Sequence, residues 1–479
     1  MMKLHYKKKT KIVGTIGPAS SDVKTLAKLS LAGLNVARLN FSHGNHAEQQ
    51  EKIALIKQVR KMTGKRMAVL QDLSGPKIRT GELETDTVVL KKGATLVLTS
   101  NKIVGNAKKM SISYKKLPQD VSVGDRILLN DGKQELRVIK KTKIDITTKV
   151  VYGGEIKARR GVNLPDTVIS TPVLTTKDKK DLEFGIKNNV DFIAQSFVQN
   201  ASDITKLKNI LTKRGSSALV VAKIETTEAI KNIDEIIEVS DAIMVARGDL
   251  AVEVGPERVP MLQKYIVEEC NRVGTPVIVA TQMLESMTRN PVPTRAEVSD
   301  VSNAILDGAD AIMLSEETAM GAYPEKVVTM MREIALEAEK GIERYSFATG
   351  VANDPGSKKT VSDSITHYAA HIAKDVDAKV IVAFTETGTT MRMLSRFRPT
   401  QPILTITPRE NMLNQTLISF GAYPAHQTKK IKDSFDSITH AKQAVTDRKL
   451  AKKGDKIVLV SGSIFGKPGD SNTVTVVEL

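Results

Sequence analysis

The chain predicts an α/β fold: a (β/α)8, or TIM, barrel with a small all-β domain inserted after its third strand and a second α/β domain at its C-terminal end. Three observations predict it. Eight short β-branched runs recur, each closed by a polar residue or a glycine turn. Amphipathic helical patterns lie between or after most of them. One gap of about 120 residues breaks the rhythm between the third run and the fourth, and its composition differs.

The eight runs are IVGTIG (12–17), LNVARLN (34–40), MAVLQD (67–72), VDFIAQSF (190–197), ALVVAKIE (218–225), AIMVARGD (242–249), PVIVATQ (276–282) and AIMLSEE (311–317). Near-continuous apolar strands alternating with helices indicate a parallel sheet covered on both faces. Eight units indicate closure into a barrel. TTEAIKNIDEIIEVS, PERVPMLQKYIVEECNRVG and PEKVVTMMREIALEAEK read as covering helices. No GxGxxG follows the first run, which argues against a dinucleotide-binding sheet.

The insertion, 76–171, is rich in Thr, Val and Lys. Its runs TVVLKKG, ATLVLTS, DRILLNDG, ELRVIKK and DITTKVV are parted by turn signals. The barrel then comprises 1–75 and 172–345, the usual size for such a domain. FATGVANDPGSKK reads as a linker. The final domain, 346–479, alternates helix (SDSITHYAAHIAKDV, TTMRMLSRFR) with strand (KVIVAFT, PILTITP) and ends on DKIVLVSGS and NTVTVVEL.

Lys and Arg outnumber Asp and Glu by 71 to 54 in 479 residues, a net charge of +17. Such a surplus draws anions: nucleic acid is one candidate partner and phosphorylated metabolites are another. The basic residues are scattered, aromatics are 4% and Trp is absent, so a base-stacking platform is not expected, nor a nucleic-acid partner. No apolar run approaches the roughly 20 residues of a membrane span. The N-terminal MMKLHYKKKTKIVG is basic without the apolar stretch of a secretion signal. One cysteine, Cys270, allows no intrachain disulfide and reads as core filler. A cytoplasmic protein is expected.

In such barrels reacting groups stand at the carboxyl ends of strands. The fifth run ends Lys223-Ile224-Glu225, and period two puts Lys223 and Glu225 on one side. The sixth ends Arg247-Gly248-Asp249. Neighbouring strands lie about 4.8 Å apart, so Glu225 and Asp249 can hold one hard cation, Mg²⁺ or Mn²⁺. A lysine beside that ion suits a strongly anionic substrate, such as a transferring phosphoryl group or a developing enolate. Gly248 lets an anion approach the backbone. Thr281 and Ser315 end the seventh and eighth runs. The plainer alternative makes Lys223 and Glu225 an internal ion pair that holds the barrel mouth. Arg38, Asn40 and Ser42 share one face at the end of the second run, a guanidinium beside two neutral oxygens. Asp72 ends the third, and Arg79 follows in GPKIR. His43 reads equally as a site residue or a turn histidine.

These segments resemble the pyruvate kinase family. ALVVAKIETTEAI is similar to the family's signature around its active-site lysine. TIGPAS, NVARLNFSHG, GPKIRTG, GVNLP, MVARGDLAVE, ATQMLESM and PTRAEVSDVSNAILDGADAIMLS resemble further family segments, in the family's order along essentially the whole chain. The resemblance implies phosphoryl transfer from phosphoenolpyruvate to ADP, giving pyruvate and ATP. It implies that Arg38 binds the phosphoryl group and Lys223 stabilises the transition state. Glu225 and Asp249 would hold the divalent metal, and Gly248 and Thr281 would contact the pyruvoyl portion near the protonation step. Arg79, Arg160, Asn40 and His43 would serve the nucleotide, with Arg160 standing where the family usually has lysine.

Some residues depart from the family's pattern. Asn40, Ser42, Asp72 and the carbonyl of Leu73 would form a monovalent-cation site, yet Lys77 stands where K⁺-requiring members carry glutamate. An ammonium there could replace K⁺, so K⁺ is not expected to be required. Glu316 stands where a small residue is common, and Met320 replaces a position that is sometimes basic. Thr385, Thr387, Gly388, Thr389 and Thr390 resemble the family's loop for a phosphorylated effector; a plain helix cap is the alternative. SGSIFGKPGDSNT lacks the Trp and Arg of relatives that respond to fructose-1,6-bisphosphate, which leaves AMP or a sugar monophosphate. A homotetramer is implied. Two rival readings are a metal-dependent aldolase-type barrel, which would lack the insertion and the Arg38/Arg79 pair, and a non-catalytic binding protein, which would not need Lys223, Glu225, Asp249 and Thr281 together.

Overall fold

Eight parallel strands close into a barrel: Lys11–Thr15, Val36–Asn40, Ala68–Asp72, Phe192–Gln195, Leu219–Ile224, Ala242–Ala246, Val277–Ala280 and Ala311–Leu314. Each pairs with the next, and the last returns to the first, with Lys11 opposite Ala311. The computed structural model describes residues 8–342, 360–427, 431–462 and 471–479. The linker FATGVANDPGSKK and most of SGSIFGKPGDSNT lie outside these residues.

All eight expected runs form the eight strands. The fifth strand shows why the pattern works. Val220, Ala222 and Ile224 pack outward against the helices, while Val221 joins the barrel interior with Phe192, Met244 and Met313. Burying each such aliphatic side chain contributes about 1.5–3 kcal/mol. The expected strand tips need correction. The sixth strand stops at Ala246, and Arg247, Gly248 and Asp249 open the helix Arg247–Val254. Glu316 likewise starts the helix Glu316–Ala319 instead of extending the eighth strand. In both places a carboxylate falls in a first helical turn, where the helix dipole favours negative charge.

The segment between the third and fourth barrel strands folds as β-structure. Six strands pair in one sheet and two in another, around Leu96, Leu98, Ile127, Leu136 and Val150. The strands Lys109–Ser111, Gly154–Lys157 and Val162–Asn163 carry little apolar signal and were not legible in the sequence. The chain enters and leaves this domain side by side. The Thr80 N–H donates to the Arg160 carbonyl (2.9 Å) and the Val162 N–H to that of Ile78 (3.0 Å). This two-stranded ribbon joins the inserted domain to the barrel. Beside this ribbon, where the Asn130 N–H donates to the Gly161 carbonyl (2.9 Å), Asn130 and Asp131 take left-handed φ of 55° and 58° in a hairpin turn whose Gly132 lies against Val252 of the barrel.

The C-terminal domain is a five-stranded sheet, four strands parallel and the last, Thr473–Glu478, antiparallel. The strand Ala422–His426 and the helix Ser434–Asp447 were not expected. The strand AYPAH is at the sheet edge, where Pro424 costs no ladder bond. This domain closes the amino-terminal end of the barrel. Leu417 and Ile418 join the barrel's interior cluster. Asp310, just before the eighth strand, accepts from Arg398 Nη1 (2.9 Å), Arg398 Nη2 (3.0 Å) and the Phe420 N–H (2.9 Å).

Arg398→Ala should lower the unfolding free energy by about 3–5 kcal/mol, because Asp310 is then left buried without its cation. Arg159→Ala, which breaks an exposed pair with Glu82, should cost under about 1 kcal/mol. Chemical denaturation of the two variants beside the parent checks the contrast.

Candidate active site

The carboxyl ends of the first five barrel strands enclose a buried charge network. Lys223 Nζ lies 2.8 Å from Glu225 Oε1 and 3.3 Å from Asp72 Oδ1, and it donates to Ser196 Oγ at 2.7 Å. Asp72 Oδ2 also accepts from Arg38 Nε at 2.7 Å, and Arg38 Nη1 donates to Thr15 Oγ1 at 2.8 Å. Glu225 Oε2 accepts the Phe197 N–H at 2.8 Å. Lys223 and Glu225 do share one side, as period two requires. The expected internal ion pair is present as well, so the plainer reading and the functional one describe the same contact.

Burial alone would depress the Lys223 ammonium, but Asp72 and Glu225 more than offset it, and its pKa is held above the ordinary lysine range. Burial works against the Asp72 carboxylate too, yet Lys223 and Arg38 win and hold it below the usual range. Glu225 goes the other way. Burial raises it, Lys223 lowers it, and the like charge of Asp249 raises it again, so the net shift is upward. This carboxylate is under-compensated.

Asp249 stands in the first turn of Arg247–Val254, partly exposed, with Lys77 Nζ 3.7 Å from its Oδ1. Beside it the Gly248 N–H donates to Thr281 Oγ1 at 2.8 Å. Thr281 and Gln282 adopt left-handed φ of 72° and 53°, a strain of roughly 1–3 kcal/mol each. Arg247 restrains the turn: it donates to the Thr281 carbonyl and to Asp300 Oδ1, each at 2.7 Å. Two carboxylates, one of them buried and raised by the other's like charge, form a donor set that fits a hard divalent cation. Among the described residues no group of three or more His, Cys, Asp or Glu could complete such a site.

The residues expected around a monovalent cation are close together but engaged. Asn40 Oδ1 accepts the Ser42 N–H (3.0 Å), the Leu73 carbonyl accepts Ser196 Oγ (2.8 Å), and Asp72 is committed to Arg38 and Lys223. His43 is exposed. Burial lowers its pKa first, and then the positive charges of Arg79, Lys77 and Arg38, which places these cations around one mouth. The connecting ribbon sets Arg79 opposite Gly161, next to Arg160. Glu316 and Met320 are exposed, and the buried carboxylate of that segment is Glu317, which accepts the Ser315 and Leu284 N–H groups. In the C-terminal loop Thr385 Oγ1 accepts the Gly388 N–H (2.9 Å), Thr387 and Thr389 hydroxyls meet at 3.0 Å, and Thr390 meets Ser471 at 2.6 Å.

Sequence reasoning missed Thr15, Ser196 and Phe197, although each ends a barrel strand or follows it. It also missed Lys177, which donates to the Phe41 carbonyl (2.6 Å) and Ser74 Oγ (3.2 Å) and pairs with Asp181.

A family model described as "Pyruvate kinase, barrel domain" matches residues 7–328, and one described as "Pyruvate kinase, alpha/beta domain" matches residues 363–477. The chain belongs to the pyruvate kinase family. It is 43% identical to the pyruvate kinase of Geobacillus stearothermophilus and 44% identical to that of Staphylococcus aureus strain MRSA252, over 98% of this chain and 80% of each relative. A solved pyruvate kinase from Cryptosporidium parvum superposes with a TM-score of 0.93 at 36% identity, covering 98% of this chain and 96% of that one. As a pyruvate kinase family member the chain is a phosphotransferase. No helix among the described residues is long and apolar enough to cross a membrane.

Asp72→Asn tests the network directly. It strands Lys223 and Arg38 without their shared carboxylate, at a cost of about 3–5 kcal/mol near neutral pH. Because the native Asp72 pKa is depressed, its contribution is complete above the unfolded value of about 4 and is lost as pH falls through the native one. The difference in thermal midpoint between variant and parent should therefore shrink on acidification below about pH 4.

Proposed function

We propose that this protein is a cytoplasmic pyruvate kinase that moves the phosphoryl group of phosphoenolpyruvate onto ADP, giving pyruvate and ATP in the last step of glycolysis. The observation that carries the reading is Lys223. It is a buried ammonium kept protonated beside Glu225 and Asp72, at a mouth that also gathers Arg38, Lys77 and Arg79. That arrangement suits transfer between two polyanions, where positioning and charge neutralisation matter more than covalent chemistry.

Glu225 and Asp249 would hold Mg²⁺ or Mn²⁺, which supplies Lewis-acid neutralisation of phosphoryl and enolate oxygens. Arg38 and Lys223 grip the phosphoryl group and keep it in line between the enol oxygen and the ADP β-phosphate. The P–O bond to the enol oxygen breaks as the bond to ADP forms, and Lys223 balances the spreading charge. Gly248 leaves its side of the pocket open to the substrate carboxylate. Thr281, fixed by Gly248 and Arg247, stands where the enolate takes its proton to become pyruvate. Arg79, Arg160, Asn40 and His43 would receive ADP under the hinge ribbon. We take 1–75 with 172–345 as the catalytic barrel, 76–171 as a lid that excludes water, and 346–479 as the effector domain.

K⁺ would not be required. Lys77, 3.7 Å from Asp249, brings a fixed positive charge to the pocket in place of the one K⁺ would supply. A phosphorylated effector, AMP or a sugar phosphate, would bind at Thr385, Thr387, Gly388, Thr389 and Thr390, within a homotetramer.

A lactate-dehydrogenase-coupled assay with phosphoenolpyruvate, ADP and Mg²⁺ should show turnover in the parent. Lys223→Met should lose at least about a thousandfold in kcat, near 4 kcal/mol of transition-state stabilisation, while still binding Mn²⁺; near-normal turnover would refute the assigned role. Replacing KCl by a tetramethylammonium salt should leave the parent rate nearly unchanged, and a large loss would show that K⁺ is needed.

A further inference from the structure

Behind the charge network lies a separate cavity of about 410 Å³, between the return arm of the connecting ribbon and the barrel. That volume is within the range of small-molecule sites. Its walls are mixed, and Pro76, Ile78, Val162, Leu164, Ile169 and Phe197 make up most of the apolar part. Its charged lining is mostly acidic. Asp166 is neutralised by Arg126 at 2.8 Å, and Glu228 by Lys231 at 3.0 Å on the exposed side. Glu253, from the last turn of Arg247–Val254, has no such partner. Its carboxylate accepts Asn163 Nδ2 at 3.3 Å and forms no ion pair among the described residues. Burial pushes this carboxyl up to about 7, and hydrogen bonds from Asn163 and the Leu164 and Thr227 backbone only partly oppose the rise. A half-buried carboxylate with hydrogen bonds but no ion pair, at the edge of a ligand-sized space with an apolar side, leaves a charge to be filled.

We propose that this cavity binds a small organic monocation with a flat apolar body, its charged end on Glu253 and its body against Phe197, Ile78 and Leu164. An anion is disfavoured by Glu253, the lining carboxylate without an ion pair. A bare inorganic cation would leave the apolar side unused. Phe197 is the partition between cavity and active site. Its ring lines the cavity and packs so closely on Gly75 that a Cβ added there would come within 2.7 Å of it, while its N–H holds Glu225. Its backbone is in the left-handed region, φ 56°. A ligand pressing on this residue therefore reaches Glu225 without touching the phosphoryl site, and the hinge arm Val162–Asn163 closes over the ligand's other face. The site gives the enzyme a handle that acts through the hinge and through Phe197 together.

Benzamidine is a suitable probe, measured by isothermal titration calorimetry on the full chain at pH 8 with saturating Mg²⁺, which occupies the carboxylates of the active site. One saturable site is expected, still occupied under saturating phosphoenolpyruvate but with its affinity shifted, because coupling through Phe197 and the hinge is reciprocal. Glu253→Gln should weaken binding by at least about tenfold, which corresponds to about 1.4 kcal/mol. Val168→Trp should abolish it. Val168 lines the cavity but is 57% exposed, so a larger side chain can obstruct the entrance without disturbing a packed core. Absence of saturable binding, displacement by phosphoenolpyruvate, or affinity unchanged in both variants would overturn the proposal. The readout is binding alone, so it stands or falls apart from the catalytic assignment.

Discussion

A lysine ammonium at the top of a barrel core is tolerable only because two carboxylates meet it there. Lys223 is buried among strands whose interior cluster is wholly apolar, from Val13 and Leu70 to Phe192, Met244 and Ile278. Removing such a charge from water costs several kcal/mol, and only well-placed partners offset it. Asp72 and Glu225 do so from two different elements, and Ser196 supplies a further oxygen. The arrangement fixes the relative register of the third, fourth and fifth strands at their carboxyl ends. It also leaves the site poised: Asp72 is over-satisfied by two cations, whereas Glu225 is short of positive charge.

That shortage is shared along one helix. Arg247–Val254 carries Asp249 toward Lys77, Val252 under the Gly132 turn of the inserted domain, and Glu253 toward Asn163. The same eight-residue helix thus meets the site, a turn of the inserted domain and the ribbon that joins that domain to the barrel. Strained backbone gathers nearby, at Phe197, Thr281 and Gln282, just beyond the fourth and seventh strands. Strain of this kind persists where surrounding contacts over-determine it, as the bonds from Arg247 to Thr281 and from Phe197 to Glu225 do here.

Much of this was legible in the sequence, for identifiable reasons. Buried parallel strands are apolar on both faces, so the eight barrel runs stand out, and their polar ends mark the mouth. Period two alone put Lys223 and Glu225 together. It failed for Asp249, which reaches the site from a helix and not from a strand end. Thr15 and Ser196 gave no signal because small hydroxyl residues end many strands. Lys177 acts through a backbone carbonyl 136 residues away in sequence, and Arg398 through an aspartate 88 residues away; no local pattern encodes such pairings. The edge strand Ala422–His426 was lost because AYPAH, though largely buried, holds a proline and no β-branched residue.

The central claim is spatial: Lys223, Glu225 and Asp249 converge on one place able to take a divalent ion. The most direct measurement is a crystal structure of the Mn²⁺-loaded enzyme with anomalous scattering collected for manganese. The account predicts one strong anomalous peak within coordination distance, about 2.1–2.3 Å, of both the Glu225 and the Asp249 carboxylates, with Lys223 alongside. A peak bound elsewhere, or one that reaches neither carboxylate, would contradict it.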